Sequence, residues 1–315
     1  MTAPSLHIDP TVPDEILEAG KNGDLVLFVG SGISQLGKLP SWKGFAEKVL
    51  DSLQDAELLN FDDLAQLKTL DPKKQLSIAE LIAAEKKFDL NLSKYFASSE
   101  EAIKVYADLN RIGSVCVTTN YDELLAPVFD PTKRSSTADA AVSTKSTKRV
   151  FRSEELLIKH ANEPGTVIHL HGSISDPKSM IVSTKRYLEH YETESVRDFL
   201  TELFAKKVVL FLGYGLDEFE VLEHILRKGE ASKSKERKRF ALQGYLSSEE
   251  SLYKRLLDYY EHSFGVHVIG FRRDAKNYHE QVAILKDWAE KIEVRSPPMT
   301  SDLDFINEVL GDEAA

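Results

Sequence analysis

Asp24-Leu25-Val26-Leu27-Phe28-Val29-Gly30-Ser31-Gly32-Ile33-Ser34 is the stretch on which the fold turns. An uninterrupted apolar run leads straight into a Gly-Ser-Gly turn. A run this short and unbroken suits a strand buried on both faces of a parallel sheet. The two glycines free the backbone to take positive φ and let another group approach closely. A strand, a tight glycine turn and then a helix is how α/β proteins aim backbone N–H groups at a phosphate.

Two familiar nucleotide loops fit this stretch incompletely. The fingerprint G-x-G-x-x-G is half present, with Gly30 and Gly32 in place and Gln35 where the third glycine belongs. From Gly32 to Lys38 the chain matches G-x-x-x-x-G-K, but the next position must offer a hydroxyl to magnesium and holds Leu39, followed by Pro40. A glycine turn with no ligand is the plain alternative.

The 315 residues suffice for one large domain, or for a domain carrying an insertion. A net charge of −11 does not favour nucleic-acid binding through the overall field. A single cysteine, Cys116, excludes an intramolecular disulfide and a Cys-based zinc ribbon. The first residues, Met-Thr-Ala-Pro-Ser-Leu-His, have neither the basic nor the apolar region of a secretory signal, and no apolar stretch approaches a membrane span. The expectation is a cytoplasmic protein that engages neither membrane nor nucleic acid directly.

Working outward, Ser41 is a candidate N-cap for a helix with Trp42, Phe45, Ala46, Val49, Leu50 and Leu53 at helical spacing. About residues 43–112 carry helical patterns and no strand, so they read as a helical insertion; Ser98-x-x-Glu101 is a capping box within it. A second strand, Ser114–Thr118, runs into Thr119-Asn120-Tyr121-Asp122. About residues 130–150, rich in Ser, Thr, Lys and Ala, read as a mobile loop. A third strand, Thr166–Leu170, leads to His171-Gly172-Ser173, and a fourth, Val208–Leu212, to Gly213-Tyr214-Gly215 and a helix around Glu218–Arg227. Further strands are expected at Arg239–Leu242 and Val266–Ile269, separated by a helix opened by the box Ser247-x-x-Glu250. The basic run Lys233–Arg239 reads as a solvated loop, and residues 296–315 as an acidic tail.

Strands alternating with helices make this an α/β chain with a Rossmann-like parallel sheet, helices on both faces and residues 1–295 in one domain. In such a sheet ligands bind beyond the carboxyl ends of the strands, so Gly30, Asn120, His171 and Gly213 converge on one crevice. Taken alone, Asn120 serves a strand-to-helix turn as readily as a reaction. His169 and His171, two apart, share one face of a strand. With no third ligand nearby they make a weak metal site; His169 is expected buried and hydrogen-bonded, and His171 to face the crevice.

In this order the motifs Gly30-Ser-Gly-Ile-Ser34, Thr118-Thr-Asn-Tyr-Asp122, His169-Leu-His-Gly172 and Gly213-Tyr-Gly215 resemble the sirtuin-like family, over roughly residues 20–290. The nearer resemblance is to bacterial sirtuin-like NAD hydrolases of antiphage defence. It implies that Asn120 and His171 are catalytic. It also implies NAD contacts from Gly30, Ser31, Gly32, Ser34, Trp42, Thr119, Asp122, Gly213, Tyr214 and Gly215, with NAD as substrate and no metal. Where sirtuin deacylases continue with Pro-Asp-Phe-Arg, this chain has Pro40-Ser41-Trp42-Lys43, and it has no cysteine after Cys116 for their zinc ribbon. The resemblance therefore implies cleavage of NAD to nicotinamide and ADP-ribose; protein deacylation or a non-catalytic NAD or ADP-ribose sensor is the alternative. It further implies a homo-oligomer under the control of a partner, an ATPase or a nucleic-acid-guided protein encoded alongside.

Overall fold

In a computed structural model, which describes residues 6–128, 147–215 and 238–295, the apolar run forms β1 (Leu25–Val29), buried along its whole length. Its neighbours are β2 (Val115–Thr118) and β5 (Val208–Leu212), both parallel to it. The sheet continues through β4 (Thr166–His169) to the edge strand β3 (Lys148–Val150), and on the other side through β6 (Arg239–Tyr245) to β7 (Val266–Arg272). All pairings are parallel, in the order β3-β4-β2-β1-β5-β6-β7. Without the edge strand β3 this is the dinucleotide-binding order, whose direction reverses between β1 and β5.

Both faces are covered, as an unbroken apolar strand requires. Val26 and Phe28 face a core shared with helices α7 (Thr184–Glu192), α8 (Glu194–Lys206) and α9 (Glu250–Phe264). Leu25, Leu27 and Val29 face a second core with α1 (Asp14–Asn22), α2 (Ser31–Leu36), α6 (Glu100–Leu109) and α10 (Glu280–Lys291). Between β1 and β2 the helices α3 (Trp42–Asp55), α4 (Phe61–Leu67) and α5 (Pro72–Lys86) build a third core around Phe45, Leu50, Leu76 and Phe96, closed by Tyr121 and Met180. The helical insertion is thus two things: α3 to α5 have a core of their own, and α6 belongs to the sheet.

Several local readings shift on inspection. Ser41 does cap α3, accepting from the Gly44 N–H at 3.1 Å. The cap of α6 is Ser99 rather than Ser98, accepting from the Ala102 N–H at 3.1 Å. Before α9 it is Glu249, not Glu250, whose carboxylate takes the Leu246 N–H at 2.7 Å. In both cases the true cap lies one residue from an equally plausible one. Strand β3 lies inside the stretch read as a loop: of Lys148, Arg149 and Val150 only the valine is buried, so three residues offer no alternation to detect. The helix expected near Glu218–Arg227, most of the 130–150 stretch and of the basic run, and the tail 296–315 lie outside the described residues.

The glycine turn differs from expectation in a way that matters. Gly30 has φ −109°, ordinary extended backbone, so positive φ is not its reason. Its N–H donates to the Leu212 carbonyl at 2.9 Å and the Gly32 N–H to the Gly213 carbonyl at 2.7 Å. A Cβ on Gly30 or Gly32 would stand 2.7 Å from the Gly213 oxygen, and one on Gly213, which has φ +59°, only 2.4 Å from the Ile33 nitrogen. The close approach is therefore between the β1 and β5 loops themselves. Gly213→Ala should lower the thermal midpoint by several degrees, the scale of about 1–3 kcal/mol of backbone strain in a chain this long. Gly215→Ala, with no atom of the described residues near its Cβ position, should leave it within about a degree. Equal midpoints in calorimetry would show that the two loops part readily.

Candidate functional site at the carboxyl ends of the central strands

Register sets the site. Val29 pairs with Thr118 and Thr118 with His169, so three neighbouring strands end level with one another. The Thr118 hydroxyl donates to the Val29 carbonyl at 2.8 Å and accepts from the Asn120 N–H at 3.0 Å, which turns the chain sharply out of β2. Asn120 then reaches back across β1, its Nδ2 donating to the Gly30 carbonyl at 3.1 Å. Its own carbonyl lies 3.1 Å from His169 Nδ1. A carbonyl only accepts, so Nδ1 carries the proton and Nε2 is the bare nitrogen that takes Arg149 Nη1 at 3.3 Å. Burial, opposed by the bond to Asn120 and helped by the Arg149 charge, pulls the His169 pKa down to about 4. His169 is therefore buried and hydrogen-bonded, as the sequence predicts, and burial keeps it neutral.

Asp122 is buried beside α2 and α6. It accepts from the Ser34 hydroxyl at 2.8 Å and the Tyr106 hydroxyl at 3.3 Å, and Ser34 and Tyr106 lie 3.0 Å apart. Burial pushes its carboxyl above the usual carboxylate range in spite of those bonds. Ser31, Ser34, Trp42, Thr119, Asn120 and Asp122 line a pocket of about 30 Å³ over the β1 and β2 ends. Six of the candidate residues are thus brought together. Gly30, Gly32 and Gly213 form the loop contact behind them.

His171 is placed elsewhere than expected. It is wholly buried, with Nε2 at 2.8 Å from the Tyr191 hydroxyl and Nδ1 at 3.3 Å from the Tyr187 hydroxyl, both on α7. Strand β4 ends at His169, so the strand alternation that would aim both histidines to one side stops before His171. Gly172, at φ +82°, swings the chain against Ser179, and the Ile181 N–H closes on the His171 carbonyl at 2.9 Å. The chain thereby folds α7 over the imidazole. Burial, with His190 and Lys73 nearby, lowers its pKa well below the ordinary value.

Residues 114–269, which carry three of the four motif segments, match the family model described as the SIR2-like domain. The chain carries a SIR2-like domain. Over 215 residues it is 21% identical to Defense-associated sirtuin 2 of Bacillus subtilis, an alignment covering 66% of this chain and 19% of that protein. The chain therefore spans only about a fifth of the length of this curated relative.

Within this SIR2-like fold Tyr214 is a core residue. Its ring packs on Phe28 and Phe211, with centroids at 5.2 and 5.6 Å, and is almost wholly buried. Gly215 closes its described segment, with no atom of the described residues within 4 Å of its Cβ position. Among the described residues, no group of three or more His, Cys, Asp or Glu is placed to hold a metal. The sequence gives no sign of Arg149 as a site residue, because it sits in a Lys-Arg run read as loop. Arg149 ties the strand ends from below, donating to the Glu123 and Leu125 carbonyls at 2.8 and 3.0 Å. Burial works against the Glu123 charge, but the Ser173 and Ser175 hydroxyls and Arg149 outweigh it and hold its carboxyl below the usual range. The sequence reading did not single out Tyr187 and Tyr191, which stand i, i+4 on one face of α7.

The His169 environment has a pH consequence. Between its ordinary value near 6.5 and about 4, the unfolded chain binds a proton that the folded chain refuses. Stability from His169 is thus complete above about pH 6.5 and is lost as the pH falls toward 4, an effect of about 3 kcal/mol. His169→Asn keeps a donor for the Asn120 carbonyl and removes the titration. Urea unfolding should show wild type losing about that much more than the variant between these limits; equal losses would mean that His169 is charged in the fold.

Proposed function

We propose that this SIR2-like chain hydrolyses NAD at the bond between nicotinamide and ribose. The observation that carries the reading is the strand register. Thr118 pairs with His169, so Asn120 leaves β2 beside the glycine turn of β1, and His171 follows two residues after the paired His169, buried under α7. Support for NAD comes from the hydroxyl, amide and carboxyl groups gathered at the strand ends next to the reversal of sheet order, where such ligands bind; the space of about 30 Å³ that they line must widen to admit it.

The reaction takes NAD and water to nicotinamide, ADP-ribose and a proton. The bond between C1′ and the pyridinium nitrogen breaks, and its electron pair leaves with nicotinamide as a neutral ring, so the leaving group needs no acid. Positive charge grows at C1′ instead, and the site must bear it and place a water. Asn120 offers hydrogen bonds without adding charge. Neutral His171 can take the proton of the attacking water or polarise a ribose hydroxyl, and burial keeps it in that neutral form. By analogy with the relative's name, Defense-associated sirtuin 2, depletion of NAD would serve antiviral defence. A constitutive enzyme would kill its host, so the chain is expected to be oligomeric and weakly active until a partner protein releases it.

Asn120→Ala and His171→Ala should each slow nicotinamide release at least about a hundredfold, the scale of one positioned acid–base group. Affinity for NAD, measured by calorimetry on the folded variants, should change far less. The double variant should be little worse than either single one. A His171→Ala protein cleaving NAD at the parental rate would sink the assignment. In a separate test, a dilute monomer with full turnover would remove the proposed gating.

A further inference from the structure

This inference rests on the proposed role of His171. A neutral imidazole has one N–H and one bare nitrogen, and a tyrosine hydroxyl both donates and accepts. The Tyr191 hydroxyl at 2.8 Å and the Tyr187 hydroxyl at 3.3 Å therefore saturate the ring. An imidazole so held has no site for a ribose hydroxyl or a water, and one tyrosine must yield before it acts.

The two partners are not equivalent. The Tyr187 bond is the longer, and the Tyr187 ring also packs on Trp42 with centroids 6.2 Å apart, while Trp42 lines the pocket containing Asn120. Tyr187 thus bridges His171 and the pocket wall. On its other side Lys73 of α5 places its ammonium 4.3 Å from the Tyr187 ring centroid, a cation–π contact. The same two helices are tied where the Thr184 N–H donates to the Ser77 hydroxyl at 2.9 Å and where Arg186 faces Glu80 at 3.7 Å. These ties border a groove of about 920 Å³ lined by residues of both helices, so they are reachable from outside. Tyr191 makes the shorter bond and stacks edge-on to His190.

We propose that Tyr187 is a gate on His171, held shut by α5, and that Tyr191 is the positioning residue that keeps the imidazole oriented when the gate opens. The titratable and charged groups facing the ring are Tyr187, His190 and Tyr191 on α7 and Lys73 on α5. Opening breaks one hydrogen bond, between Tyr187 and Nδ1, and leaves that nitrogen to the substrate or water.

The test uses the full chain with Tyr187→Phe, Lys73→Met and Tyr191→Phe. Nicotinamide release is read beside the nitrogen resonances of the His171 ring, followed through a pH titration by NMR. Tyr187→Phe should raise kcat about three- to tenfold at constant KM, the worth of one neutral hydrogen bond, and should shift the Nδ1 resonance. Lys73→Met, which leaves the His171 bonds in place, should move both readouts the same way by less. Tyr191→Phe should lower kcat by about tenfold or more and displace the acidic limb of the pH profile. An Nδ1 resonance unmoved in both Tyr187→Phe and Lys73→Met overturns the gate, whatever the activities. A shifted resonance with kcat at or below the wild-type value in an active enzyme overturns it too. If the resonance shifts and no protein, wild type included, releases nicotinamide, the gate on the imidazole stands and the hydrolase reading falls.

Discussion

The contact between the β1 and β5 loops is the constraint on which the site depends. Two backbones meet there at hydrogen-bond distance, and three glycines leave no Cβ between them. A parallel sheet whose order reverses between these strands would ordinarily splay its connections apart and open a crevice. Here the connections are drawn together at their bases. The polar residues are pushed to the rim above, where Ser31 opens α2 and Asn120 leans across from β2 to the Gly30 carbonyl. The glycines act on a ligand indirectly, by fixing the floor on which the polar groups stand. A side chain on Gly32 would spoil that floor before it met any ligand, so loss of binding in such a variant would not by itself identify a phosphate cradle.

Above that floor, the burial of so many polar groups demands a partner for each. The chain meets the demand by connecting neighbouring strand ends rather than by local pairs: Thr118 to Val29, Asn120 to Gly30, His169 to Asn120 and Arg149 to His169. Each link spans strands that are adjacent in the sheet and distant in sequence, so a shift of one strand would break several at once. Both histidines have depressed pKa values and Asp122 a raised one, all through burial, whereas the ion pair of Arg149 and Glu123 lies at the sheet edge, at 3.9 Å. A site in which a cationic leaving group becomes neutral suits such a setting, because fixed cations would oppose the positive charge growing at the reacting carbon.

Most of the sheet was legible because its strands are unbroken apolar runs ending in glycine or polar residues, a signal that periodicity detects. Strand β3 escaped it, being three residues long with two of them charged, held in place by pairing with β4. The site was legible as a set of strand ends, and six of its residues do line one pocket. His171 was not, since its setting depends on a turn at Gly172 and a helix that follows, and neither leaves a mark in the two-residue spacing of the histidines. Tyr214 enters from the sequence only through the resemblance, and its burial depends on the turn at Gly213, which folds the ring back onto Phe28.

These features divide the molecule into a part that must be rigid and a part that need not be. Strand ends joined through backbone carbonyls and threonine hydroxyls have little freedom, since each displacement leaves a buried polar group unsatisfied. Helix α7 is attached differently. Besides the rings of Tyr187 and Tyr191, buried in the core shared with β1 and against Trp42, its polar links are two tyrosine hydroxyls on one imidazole and, toward the inserted helices, an ammonium over a ring, the Ser77–Thr184 hydroxyl bonds and one long ion pair. Each of those polar links is worth on the order of 1 kcal/mol or less net. The insertion has its own core and so can shift as a body without unmaking the sheet. A force on it would therefore reach His171 through the weakest set of contacts around the site, with the pocket floor unmoved.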